Sequence, residues 1–140
     1  MMLRNLYGIA LGTSGLIFQA QSREEILADN MVNLAFRENR IKNRDLWDIA
    51  WLVQQGVALP AALIPVKVTD HRREVDEFVS LLQSRSAALK AEPQLREDFL
   101  KEMRRFLPAT TVRDTLENPA WWAYLTQVIK EQVRLALAQL

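Results

Sequence analysis

The five prolines constrain this chain most, because each falls where a helical pattern breaks or begins. Pro60 and Pro65 interrupt the most apolar window, IAWLVQQGVALPAALIPV. Pro93 occupies a first-turn position, Pro108 stops the helix that Pro93 opens, and Asn118 with Pro119 is a helix-start signal. Between these breaks apolar residues recur at helical spacing. With 49% apolar residues, 25% charged and only 4 glycines, the composition is that of a folded, helix-rich globule. The 140 residues suffice for one core, so a single domain over 1–140 is expected.

Residues 1–21 differ from the rest. Glycines at 8, 12 and 15 separate short β-prone runs, which predicts a β-hairpin. At Ser22 the pattern turns helical: SREE is a capping box, with the Ser22 hydroxyl placed for the amide three residues on and Glu25 reaching back. Leu27, Met31, Leu34 and Ala35 then share a face. A second helix starts near Asn43 as N-cap, with Asp45 in its first turn, Trp47 and Trp51 one turn apart, and Gly56 at its end. Thr69 or Asp70 is expected to cap a long helix bearing Val75, Phe78, Val79 and Leu82. Leu95, Phe99, Met103 and Phe106 form the inner face of the next. A short turn follows near Val112 to Leu116, and Trp122, Leu125, Ile129, Val133 and Ala136 carry the last helix inward. The fold class expected is mostly α within α+β: an N-terminal hairpin over 1–21, then a bundle of five or six helices over 22–140.

Charge and residue usage exclude several functions. Eighteen Lys and Arg against 17 Asp and Glu give a net charge of +1, so any nucleic-acid contact must be local. The absence of cysteine removes disulfides and thiolate metal sites and makes the cytoplasm the default compartment, and the lone histidine, His71, rules out a multi-histidine site. His71 reads as a surface residue. No apolar run follows basic residues near the start, so no secretory signal is expected. Glycine and proline in the apolar window argue for a buried helix, a turn and a short helix in place of a membrane span, which needs about 20 mostly apolar residues.

One stretch, IKNRDLWDIAWLVQQG at 41–56, concentrates charge beside tryptophan. Asp45 and Asp48, three apart, project from neighbouring positions of one helix and can share a cation or polarise a nucleophile. Arg44 and Asp48, four apart, equally suit an ordinary ion pair on a helix surface. Upstream, Arg37, Arg40, Lys42 and Arg44 can contact phosphates, or simply solvate a loop. Trp121 and Trp122 can stack on bases, although the spacing favours Trp122 as core. No phosphate-binding glycine loop, zinc-ligand spacing or serine elbow is present.

Residues 22–56, SREEILADNMVNLAFRENRIKNRDLWDIAWLVQQG, resemble the later motifs of the AbiEii/AbiGii toxin-type nucleotidyltransferase family, bacterial abortive-infection and type IV toxin–antitoxin proteins. Members read Ser, then Glu-Ile-Leu-Ala-Asp-Lys, then a short basic loop and an Arg-Asp-x-x-Asp helix. RFLP at 105–108 and the Trp121 and Trp122 region resemble the family's C-terminal helices less specifically. The resemblance implies that the Lys of Ala-Asp-Lys serves the nucleotide site; Asn30 stands there, able to hydrogen-bond a triphosphate but not to neutralise it. It implies Asp45 as a supporting acidic residue and Asp48 as the second, supporting aspartate, with Lys42 and Arg44 as phosphate-binding neighbours.

Family catalysis also implies a Gly-Ser turn on the phosphates and an Asp-x-Asp strand holding a divalent metal. GTSG at 12–15 reads as a turn without acids behind it, and no Asp-x-Asp occurs, so no metal ligand is assigned. The expectation is therefore the C-terminal portion of such an enzyme, inactive alone and without a cofactor of its own. Mg2+ and a nucleoside triphosphate would enter only with a completing catalytic half. Expected partners are that N-terminal half or a cognate antitoxin, a second copy, or RNA, and no membrane. The alternative is a non-catalytic helical module that binds protein or RNA.

Overall fold

The computed structural model describes residues 21–38, 40–138 and 140. Among them seven helices follow one another and no strand occurs: α1 (Arg23–Phe36), α2 (Asn43–Gln54), α3 (Leu63–Asp70), α4 (Val75–Ala91), α5 (Pro93–Met103), α6 (Ala109–Asp114) and α7 (Trp121–Leu137). The mostly helical expectation holds. The hairpin expected over 1–21 lies, apart from Gln21, outside the described residues. The count is seven instead of five or six because the short segments α3 and α6 each complete a helix.

Several helix ends follow local chemistry. Ser22 caps α1, its hydroxyl accepting from the Glu25 amide at 3.1 Å. The reciprocal half of the expected box is replaced, since Glu25 faces Lys67 at 3.9 Å, and Lys67 is held more closely by Asp29 at 2.7 Å. Pro93 opens α5 as expected. At α7 the Asn118 side-chain oxygen accepts from Ala120 N at 2.9 Å and its carbonyl accepts from Trp121 N at 3.0 Å.

Two ends share one design with different residues. After α2, Gly56 adopts φ +81°, while Gly56 N donates to the Val53 carbonyl and Val57 N to that of Leu52. This is a Schellman motif, with glycine in the left-handed position. After α3 the same pair of bonds runs from Arg72 N to Thr69 O and from Arg73 N to Val68 O, but Arg72 is the residue at positive φ, +57°. Thr69 and Asp70 therefore lie in the last turn of α3 and do not cap the following helix; the Thr69 hydroxyl donates back to the Pro65 carbonyl at 3.0 Å. Glu74 precedes α4 in its stead.

Helix α2 is the centre of the bundle. It contacts α1, α5 and α7, and eight consecutive residues, Asp45 to Leu52, are buried, so no face of it is left to solvent. Helix α1 also packs on α3 and α4, and α4 packs on α7. Phe78, Leu82 and Leu89 face inward from α4, and Phe99 and Met103 from α5. Two expectations shift by one residue: Phe106 is 48% exposed and Leu107 is buried instead, and Trp121 is buried at 8% while Trp122 is half-buried. Trp121 and Trp122 are adjacent on α7 and differ by about 100°, so a small change in register exchanges them. Helix α5 ends at Met103, and the turn after it, with Phe106 N and Leu107 N both donating to the Met103 carbonyl, leaves Leu107 inside. No helix among the described residues is long and apolar enough to cross a membrane.

Candidate functional site

The charged stretch that opens α2 is built against the end of α1. Helix α1 finishes at Phe36, where Arg37 turns out of helical geometry at φ −57° and ψ 131°. That turn sends its side chain across the loop to α2. Arg37 Nε lies 3.1 Å from Asp45 Oδ2 and Nη2 lies 3.4 Å from Oδ1, a fork that engages both carboxylate oxygens. Asp45 is only 4% exposed, and a carboxylate so buried requires such a partner. The carbonyl of Arg37 in turn accepts from Arg85 Nη2 on α4 at 2.7 Å, and burial pushes the Arg85 guanidinium below its ordinary value. Asp45, Arg37 and Arg85 thus link α2, the loop and α4.

The first turn of α2 is fixed a second time from outside. Asn43 does not serve as N-cap: Lys42 occupies that position without a side-chain cap bond, and the Asn43 amide donates to Glu102 of α5 at 3.0 Å. Asp48, one turn on from Asp45, is 7% exposed, so the two aspartates are both enclosed. Lys42 is exposed, as is Arg40, and Arg44 is half-buried. These three cations form the accessible part of the stretch.

Asn30 lies on α1 two turns before Arg37 and is 8% exposed. Its Nδ2 is buried and meets no acceptor among the described residues. Sequence reasoning singled out Asn30, Lys42, Arg44, Asp45 and Asp48, and the fold separates them by depth: Asn30, Asp45 and Asp48 inside, Lys42 and Arg44 towards the outside. It missed the Arg37–Asp45 pair. An arginine at a helix end and an acid in the first turn of the next helix were the available signal.

The tryptophans belong to packing. Trp47 and Trp121 approach to 5.4 Å between ring centroids, Phe99 stacks on Trp121 at 5.7 Å, and Trp122 meets Phe99 at 5.4 Å. The guanidinium of Arg23 sits 5.6 Å above the Trp51 ring, a cation–π contact between α1 and α2. His71 is exposed and rests its ring 5.6 Å from Phe36.

A divalent ion of the kind used in phosphoryl transfer takes several oxygen ligands. Both Asp45 oxygens already accept from Arg37, and among the described residues no group of three or more His, Cys, Asp or Glu is placed to hold a metal. The donor set does not fit such an ion. In comparisons with known proteins, the family model "Nucleotidyl transferase AbiEii toxin, Type IV TA system" matches residues 5–127, extending well beyond the stretch 22–56 on both sides. No curated protein and no solved structure matches the chain.

Proposed function

The chain belongs to the AbiEii nucleotidyl transferase toxin family of type IV toxin–antitoxin systems, and on that premise we propose that it forms the phosphate-facing helical side of such an enzyme, the metal-binding carboxylates coming from outside these 140 residues. Asp45 is then a positioning residue. Through Arg37 it fixes where α2 begins, and so where Arg40, Lys42 and Arg44 present their charge to a nucleotide or an RNA backbone. Asp48 supports the same helix from inside, and Asn30, at the position of the family's nucleotide-site Lys, contributes an amide in place of a charge. An antitoxin is the partner that a type IV system implies, and the bacterial cytoplasm is the compartment where such a pair would act.

The observation that carries this reading is the Arg37 fork on a carboxylate 4% exposed. A carboxylate committed to a guanidinium at both oxygens is an anchor. The sequence also contains no Asp-x-Asp, so no catalytic step is derived through a metal held by this chain. Incubation of the purified chain with magnesium, labelled nucleoside triphosphates and transfer RNA tests the proposal. No label transfer is expected from the chain alone. Transfer is expected once a polypeptide carrying the Gly-Ser and Asp-x-Asp elements is added, and Lys42→Glu with Arg44→Glu should lower it at least tenfold. Transfer by this polypeptide unaided overturns the reading.

A further inference from the structure

Away from α2, the surface between α4 and α7 has its own pattern. Ser86, Ala87 and Lys90 follow one face of α4, and Lys130, Val133 and Leu137 follow one face of α7, enclosing a groove of about 470 Å³. A second hollow of about 260 Å³ continues it past Lys90 to Trp122 and Arg96. From Trp122 to Leu137 the groove follows α7 for roughly 22 Å, at about 1.5 Å per residue. Its lining is mainly apolar, with the buried Thr126 where the two parts meet, and its rim is basic: no acidic residue lines either part. Lys90, Arg96 and Lys130 are exposed and form no ion pair among the described residues, while Arg134 is held by Glu131 at 2.5 Å.

We propose that this groove docks an amphipathic helix of a partner protein, about four turns long, with an apolar ridge flanked by carboxylates. Two helices side by side leave a trough that accepts the ridge of a third, and Ala87 leaves room for it at the floor. The unpaired cations supply the charge complementarity that selects an acidic flank and repels a basic one. A nucleic acid fits less well. Single strands bind by stacking bases on open aromatic faces, whereas the aromatic side chain at this groove, Trp122, is packed on Phe99 at 5.4 Å. The proposal stands apart from the nucleotidyltransferase reading, since none of its residues lies in the α2 stretch.

The probe is a fluorescein-labelled 16-residue helical peptide with leucines along one face and glutamates beside them, titrated with the full chain and read by anisotropy. Saturable binding is expected. It should weaken at least tenfold in Lys90→Glu/Lys130→Glu, weaken likewise in Ala87→Glu, and weaken with added salt. All three positions are exposed, so the variants should melt as the wild type does. Absence of saturable binding, or equal binding of a peptide with lysines in place of the glutamates, overturns the proposal. So does a single-stranded RNA that displaces the peptide and loses affinity through the same substitutions. Sedimentation showing a dimer that Ala87→Glu splits would assign the groove to a second copy and overturn it too.

Discussion

At the scale of single residues, the main distinction is between charge that is enclosed and charge that is solvated. Asp45 is 4% exposed and its carboxylate accepts a fork of hydrogen bonds from Arg37, so removing Arg37 leaves a buried acid without that partner. Arg37→Ala should therefore lower stability by about 1–3 kcal/mol, below the cost of breaking a fully buried pair because the Arg37 side chain is 39% exposed. Chemical denaturation of the variant beside the wild type measures it. Glu77 shows the solvated case. It accepts from Arg73 at 2.6 and 2.9 Å, and that bonding holds its carboxyl below the ordinary value of 4.5. Because the folded value is depressed, the unfolded chain binds the proton first as pH falls. The pair's contribution is complete above the unfolded value and is lost as pH drops through the folded one. Thermal melting of Glu77→Gln against wild type should show a deficit at pH 7 that closes on acidification below about pH 4. A deficit that widened in acid would contradict the assignment.

At the scale of the helices, what could be read from sequence was what neighbours decide. Ser22 with Glu25, Pro93, Gly56 and the Asn118-Pro119 step act within a few residues, and each marks a helix end in the structure. Thr69 and Asp70 carry the same local signal, yet the aliphatic segment before them forms α3 and absorbs both into its final turn. Asn43 loses its capping role to Glu102, a partner 59 residues away that no local pattern reveals. The left-handed caps give a paired prediction. Gly56→Ala should cost about 1 kcal/mol, purely conformational because nothing lies within 4 Å of an added Cβ. Arg72→Gly, at φ +57°, should gain about 0.5–1 kcal/mol by relieving the same strain. Opposite shifts in denaturation midpoint are the readout. Phe99 is fully buried and joins α5 to both tryptophans of α7, so Phe99→Ala should cost about 3–5 kcal/mol in the same assay.

At the scale of the whole molecule, a helix enclosed on every side brings its polar residues with it, and their roles follow from that position. The candidate residues were legible because IKNRDLWDIAWLVQQG concentrates charge beside tryptophan, and the family resemblance placed them in order. Their depth was not legible: the spacing of Asp45 and Asp48 suits a shared cation as well as a buried anchor, and only the approach of α1 through Arg37 distinguishes the two. Asp45 binds Arg37 and not a metal in the proposed role. Thermal unfolding of wild type and Asp45→Asn, each with and without millimolar magnesium, tests this directly, since a ligand that binds the folded state raises its melting temperature. Magnesium should leave the wild-type midpoint unchanged, and Asp45→Asn should melt lower in either buffer. A wild-type midpoint raised by magnesium, with the increase abolished in Asp45→Asn, would contradict it.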